Sequence, residues 1–506
     1  MLQSPLLPGD TTQLVFNLEV EARGFTENNP RNEVVANGTY LTNFPFARPL
    51  YFPAIGYSIW SEIQDNAIRA KYGLPEKKIL PALEDGLARQ KSFLNWATFD
   101  CVVSTDENQT AVATGELIKS WQEDNRNFYH YRVDTVMNNA FVILSGKYEV
   151  ARDRHKNLAI EIYYDKKHPY NLSRMMAGVK SAFDYCTTNF SPYPYQTVKI
   201  VEVPDYGIIG GSARSQPTVF TWTENGGFIS NLEDSTAIDV VFNTTTHEMA
   251  HQWWGHIVKA AETEGAAVLA ETMAQWVRVM CMQQMYGVEK MQRFRQNEMD
   301  NYLSSRARQQ VDEPPMMRST TQAYLNYDKG TLVMYALQDY IGETRVNAAL
   351  RKLVDQFGFK EAPYPTTVDL IAAFREVTPD SLQFVITDLF ETITLYDNKV
   401  EEIKCAALAN DKFQVNLKTQ TRKLCADGKG NEAEVAMLDY MDIGVFGENG
   451  KILYLAKHKL TRNDNEFVLV VDEKPVEAGV DPYVKLIDKN RENNRAAVQF
   501  VASGTN

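Results

Sequence analysis

Residues 240–257 read Val240-Val241-Phe242-Asn243-Thr244-Thr245-Thr246-His247-Glu248-Met249-Ala250-His251-Gln252-Trp253-Trp254-Gly255-His256-Ile257. Within them His247-Glu248-Met249-Ala250-His251 is an HExxH pattern. On a helix, positions i and i+4 lie about 40° apart, so both imidazoles face one way. Two neutral imidazoles so placed can hold one Zn²⁺ at about 2.0–2.1 Å from each nitrogen. Glu248, about 100° round from His247, reaches the attacking water rather than the metal, which is the position of a general base. The bland alternative is an ordinary helix carrying one salt-bridged Glu and two surface His. The flanks weigh against it, because Val240, Val241, Phe242, Trp253 and Trp254 make this helix apolar and buried. Two His and a Glu buried side by side without a ligand are costly to desolvate.

A catalytic zinc site needs a third protein ligand. The pattern HExxHxxGxxH is excluded, since Trp254 and Ile257 stand where its glycine and third histidine would be. His256 lies five residues past His251, about 140° off the ligand face, and reads better as a helix-end residue behind the ligands. The next helical pattern covers 266–285, with Leu269, Met273, Trp276 and Met280 as its core stripe. Glu271 points about 200° away from Leu269, off that stripe and free to turn toward the histidine pair. Glu262 and Glu264 compete for the role, but they sit in the connecting loop and read as solvated charges. Glu271 is the favoured third ligand.

Outward from this centre the chain has three textures. Up to about residue 153, short β-rich runs such as 14–20, 111–114 and 141–144 are broken by Gly, Asn and Asp. The middle opens with a strand pattern at 159–164. A helix from Ser173 follows, with Met176, Val179 and Phe183 on one stripe, then a second strand at 198–203. Helical periodicity dominates from Thr236 to about Thr394, and Thr366 with Asp369 forms a capping-box signature. From about residue 397 strands return, at 413–417, 452–455 and 467–471, in the manner of a β-sandwich. The expected fold class is α+β multidomain: an N-terminal β-sheet domain (1–153), an α+β domain carrying the chemistry (154–396) and a C-terminal β-sandwich (397–506).

Composition sets the outer bounds. The chain has 506 residues, 44% hydrophobic and 23% charged, which excludes disorder as its main state. Its formal charge of −13 argues against nucleic acid as a partner and is most simply a solubility feature. No apolar run approaches the roughly 18 residues of a membrane span. The start, Met1-Leu2-Gln3-Ser4, lacks the basic and apolar regions of a signal peptide and fits a boundary inside a longer protein. Five cysteines without CxxC spacing are neither a disulfide scaffold nor a zinc ribbon. Whether Cys405 and Cys425, in one β-rich region, form a pair is left open by the sequence.

The segment His247-Glu248-Met249-Ala250-His251-Gln252-Trp253-Trp254-Gly255 resembles the zinc helix of the aminopeptidase N family of gluzincins. In that family the third ligand is a Glu separated from the second His by eighteen residues; here nineteen separate His251 from Glu271. The family also places a Gly-x-Met-Glu-Asn segment on an edge strand before the zinc helix, and its Glu binds the substrate's free α-amine. Thr223-Glu224-Asn225-Gly226-Gly227 is similar, without the leading Gly and Met, and the resemblance assigns that role to Glu224. A lone Glu there otherwise reads as a turn residue. Tyr327-Asp328-Lys329-Gly330 resembles the family's Tyr-Glu-Lys-Gly, whose tyrosine hydroxyl helps hold the oxyanion. Without the motif, Tyr327 is one of 25 tyrosines and packs a core by default.

A narrower resemblance, to the peptidase module fused to permease subunits of bacterial ABC-type transporters, spans almost the whole chain. It rests on Arg23-Gly24-Phe25, Val35-Ala36-Asn37-Gly38-Thr39, Ile55-Gly56-Tyr57, Thr378-Pro379-Asp380-Ser381-Leu382-Gln383 and 481–488. It implies a soluble, extracytoplasmic part of a bacterial membrane protein, with the permease portion of the same polypeptide as partner. The large C-terminal helical domain of many family members is not expected here, because the third zone is strand-like.

Together these resemblances imply a thermolysin-like catalytic domain at 154–396. Zn²⁺ would sit on His247, His251 and Glu271, Glu248 would be the base, Tyr327 would serve the oxyanion and Glu224 the amine. Peptides are the implied substrates and N-terminal residues the implied leaving pieces. Two rivals remain: a metalloendopeptidase without the amine anchor, and a peptide-binding regulatory domain of a transporter with little or no turnover.

Overall fold

Inward-facing Val198 and Ile200, one residue out of phase with Val201 and Val203, set how the centre of the molecule is layered. All seven residues of Thr197–Val203 are buried, as expected of a strand covered on both faces. Val198 and Ile200 join the core built with the helices. Val201 and Val203 pack with Tyr40, Val112, Val142 and Leu144 of the N-terminal sheet. The strand belongs to a five-stranded sheet in the order Ala213–Gln216, Val219–Thr223, Thr197–Val203, Leu158–Tyr164, Glu149–His155. The three inner strands are parallel to one another and both edges are antiparallel.

The computed structural model describes residues 34–35, 37–41 and 66–501, apart from 77–79, 206–212, 235–236, 310 and 321, with scattered positions between 7 and 19. Most of the β-rich run at 14–20, residue Ala36, and the segments Arg23-Gly24-Phe25 and Ile55-Gly56-Tyr57 lie outside the described residues.

Two antiparallel sheets precede the central one. The first has the order Val34–Val35, Gly38–Leu41, Ile143–Gly146, Thr110–Ala113. The second sets Trp96–Asp106 and Glu116–Glu123 on either side of the long strand Arg126–Asn138.

On the other face of the central sheet lie Leu172–Asn189 and Val240–Ala250, with Met273–Tyr286, Val288–Arg308, Gly330–Ile341, Glu343–Phe357 and Thr367–Val377 packed beyond and around them. The last begins with a capping box, in which Thr366 Oγ1 accepts from Val368 N at 3.3 Å and Asp369 Oδ2 from Thr366 N at 2.8 Å.

From Ile393–Ala407 onward the chain is strand-rich. Ile393–Ala407 and Phe413–Ala426 anchor one sheet, and Asp439–Phe446 with Ile452–Leu460 anchors another. The two face each other across Ile403, Cys405, Val415, Leu417, Ile443, Val445 and Val480, which makes a sandwich. The molecule is thus a multidomain α+β protein with an N-terminal sheet domain, a helical middle and a C-terminal strand-rich domain. The boundaries expected at 153/154 and 396/397 both fall inside strands, Glu149–His155 and Ile393–Ala407. All five cysteines are free, Cys405 and Cys425 included. Among the described residues no helix is long and apolar enough to cross a membrane.

Candidate metal centre

The HExxH segment lies on the helix Val240–Ala250, and His251 is its C-cap. Asp239 caps its N-terminus, Oδ1 accepting from Phe242 N at 2.9 Å. The same carboxylate pairs with Arg174 at 2.9 Å and accepts from Tyr286, so one side chain ties the motif helix to both neighbouring helices. Close approach is allowed by Gly178, where a Cβ would come within 2.7 Å of Thr245. Past the helix, Gln252 laces the motif to the sheet edge. Its Nε2 donates to Ser215 Oγ and Gln216 O at 2.8 and 2.9 Å, and its Oε1 accepts from Thr218 N at 2.9 Å.

Glu271 does not sit in regular α-helix. Val268–Thr272 forms a π-helical turn that runs into the helix Met273–Tyr286. The stripe of Leu269, Met273, Trp276 and Met280 is buried, and the widened turn lets Glu271 face the opposite way. Gly330 permits this packing, since a Cβ there would meet Thr272 Oγ1 at 2.8 Å. Glu271 Oε2 lies 3.3 Å from His247 Nε2 and 3.2 Å from His251 Nε2, and the two Nε2 atoms are 3.1 Å apart. Ligands at about 2.0–2.1 Å from a tetrahedral zinc are separated by about 3.3–3.4 Å, so this triangle has the size of one tetrahedral face. Buried Glu271 Oε2 has no hydrogen-bond partner of its own. The donor set and the orphaned oxygen fit a small divalent cation. His251 Nδ1 lies 2.9 Å from Trp254 O, which holds a proton on Nδ1 and makes Nε2 the nitrogen that would face a cation.

The electrostatics follow from burial and proximity. Burial pulls His247 down to about 4. Burial acts the same way on His251, but the Glu271 and Glu248 carboxylates outweigh it and raise that ring to about 9. Glu271, which burial alone would push up, is held well below the ordinary carboxylate range by the two rings. Burial lifts Glu248 to about 7, with the positive charges of His251 and Arg214 opposing.

Tyr327 also sits on a π-helical turn, Leu325–Lys329, and its ring centroid is 5.7 Å from that of His247. The residue is 37% exposed, and partial burial together with the facing Glu271 carboxylate keeps its phenol protonated. The turn is anchored from behind by buried Lys329, whose Nζ lies 3.0 Å from Glu313 Oε1. Glu313 also accepts from Tyr302 at 2.8 Å and Arg306 at 2.6 Å.

Glu224 is not on an edge strand. It opens the π-helical turn Glu224–Phe228 after the interior strand Val219–Thr223. Its charged neighbours are His168, Asp165 and Asp205, and it raises the buried Glu202. The turn that carries it packs against the motif helix Val240–Ala250. The edge strand beside the motif helix is Ala213–Gln216, and it carries Arg214. His256, Glu262 and Glu264 are outside the ligand group. Asn138 Nδ2 lies 2.7 Å from His256 Nδ1, and Glu264 pairs with Arg318 at 2.7 Å. The sequence reading missed Arg214 and Arg278. Arg278 pairs with Glu298 at 3.2 Å and adds positive charge near His247 and Tyr327. Arg278 stands seven residues past Glu271, two helical turns along, which was the available signal.

Residues 174–392, which hold this centre, match the model of the Peptidase family M1 domain. Aminopeptidase M1-C of Oryza sativa subsp. japonica is 25% identical over 228 residues, 42% of this chain and 24% of that protein. Endoplasmic reticulum aminopeptidase 2 of Homo sapiens is 22% identical over 178 residues, 34% of this chain and 18% of that one. The matched part of this chain thus spans about a quarter or less of these relatives. Among solved structures, Legionella pneumophila aminopeptidase A in complex with aspartic acid superposes with a TM-score of 0.54 at 15% identity. It covers 81% of this chain and 45% of that chain, a likeness of fold.

Proposed function

We propose that this chain is a zinc-dependent peptidase that removes N-terminal residues from peptides. The observation that carries the metal part is the triangle of His247 Nε2, His251 Nε2 and Glu271 Oε2, with sides of 3.1–3.3 Å. The M1 domain match and the aminopeptidase names of its relatives support the substrate class. When bound, Zn²⁺ supplies Lewis acidity toward a carbonyl and lowers the pKa of water. Glu248 takes the proton of the attacking water and hands it to the leaving amine. The Tyr327 hydroxyl donates to the developing oxyanion of the scissile carbonyl. Buried Trp253 and Trp254 and the sheet edge hold the motif helix still while this happens.

A second reading, an endopeptidase with no amine anchor, draws support from Glu224 and Arg214. Glu224 keeps company with Asp165, Glu202 and His168, and the sheet edge near Glu248 bears a cation instead of a carboxylate. Turnover of an aminoacyl chromogenic amide should be compared with that of its N-acetylated form. Removal of free N-terminal residues requires the acetylated substrate to be poor. Equal turnover rejects the aminopeptidase reading in favour of the endopeptidase, and Glu224→Gln should then leave kcat/KM unchanged. Association with a transporter permease and an extracytoplasmic setting remain proposals from the sequence resemblance alone.

A further inference from the structure

A cavity among the described residues lies away from the metal centre. It has a volume of about 840 Å³ and lies where the helices Met273–Tyr286, Val288–Arg308 and Gly330–Ile341 meet the C-terminal sandwich. Gln283 reaches it from the rod that begins at the Glu271 turn, about 18 Å further along. That volume is within the roughly 300–1,000 Å³ of small-molecule sites.

Its wall holds an unusual cation. Arg295 is 3% exposed, and its Nε and Nη1 have no hydrogen-bond partner. Nη2 donates only to a neutral group, the Tyr483 carbonyl, at 3.1 Å. The guanidinium lies over the Tyr335 ring, 4.2 Å from its centroid. The carboxylates closest to its charge are engaged elsewhere. Asp339 pairs with Lys485 at 2.6 Å and with Lys457. Asp481 accepts from the backbone N–H groups of Lys485 and Leu486 at 2.9 and 3.0 Å. On the sandwich side Arg495 stacks on Phe446 at 4.1 Å and donates through Nη2 to Glu477 Oε2 at 2.6 Å, while its buried Nε is unpartnered. A buried guanidinium with two donors unmet and no anionic partner is costly, and an oxyanion is the group that removes the cost. The apolar part of the wall, Val288, Tyr335, Phe446, Ile452, Leu455 and Tyr483, suits an apolar body behind the head group.

We propose that this cavity binds a small organic anion, a carboxylate or phosphate on an apolar body, through Arg295 and Arg495. The proposal does not depend on the peptidase reading. Isothermal titration of the full chain with phenyl phosphate, 3-phenylpropionate and neutral 3-phenylpropan-1-ol tests it. At least one anion should bind tenfold or more tighter than the alcohol, one per chain, and which anion wins identifies the head group. Arg295→Gln should lower that affinity at least tenfold; if that variant does not fold, Arg495→Gln serves with the same expectation. Anions no tighter than the alcohol overturn the proposal, as does anion affinity unchanged in the folded variant, which would put the binding elsewhere.

Discussion

At the scale of single residues, Glu248 and Tyr327 have separable duties in the proposed reaction. Glu248→Gln removes the base without touching a ligand, so turnover should fall by about 10²–10⁴-fold. Metal content should stay at the wild-type level; parallel loss of metal and activity would show that the residue is a ligand. Tyr327→Phe removes one oxyanion donor and should lower kcat by about 10²–10³-fold with little change in KM. His256 makes a different statement. Burial pulls it down to about 3, with the charge of His251 acting the same way. Its folded pKa is below the ordinary value near 6.5, so the unfolded chain takes up a proton that the folded chain refuses. The stability it contributes is therefore present above about 6.5 and lost as pH falls toward 3. Thermal unfolding of wild type and His256→Asn at pH 7 and pH 5 should show the gap between them narrowing at the lower pH. A gap that widens contradicts the buried neutral histidine.

At the scale of elements, the π-helical turns matter most. Glu224, Glu271 and Tyr327 each lie on one, at Glu224–Phe228, Val268–Thr272 and Leu325–Lys329. The turn bearing Tyr327 depends on the buried Lys329–Glu313 pair, both side chains at most 3% exposed. Glu313→Ala leaves that ammonium buried and unpaired and should cost about 3–5 kcal/mol in denaturant unfolding. A loss below 1 kcal/mol would mean that water or Tyr302 takes over. These turns also explain what could be read in advance. Histidines at i and i+4 on an apolar helix face one way whatever surrounds them, so His247 and His251 were legible in the sequence. So were the capping box at Thr366 and the buried stripe of Leu269, Met273, Trp276 and Met280, which are local patterns. A π-helical turn has no local signature. It arises from packing, here of Gly330 against Thr272, so the path that brings Glu271 round was not legible. The place of Glu224 after an interior strand was not legible for a related reason: a Glu-Asn-Gly-Gly string carries no information about which strand is the sheet edge.

At the scale of the whole molecule, the order of sheet domain, helical middle and strand-rich domain followed from changes in periodicity, but their seams did not. Strands Glu149–His155 and Ile393–Ala407 run through the expected boundaries, because pairing partners on both sides continue the ladder. The cavity around Arg295 lies at such a seam and depends on residues far apart in the chain, which no local pattern reveals. The metal is the remaining global element. A cation held by two histidines of one helix and a carboxylate of the next joins the helix Val240–Ala250 to the turn Val268–Thr272, so binding it should stabilise the fold by mass action. The most direct measurement is metal content with turnover, in wild type and in Glu271→Ala, after exhaustive dialysis. Wild type should hold about one zinc per chain and hydrolyse peptide, while folded Glu271→Ala should hold only a trace and be inactive. A Glu271→Ala protein that keeps its full zinc and its activity would contradict the account.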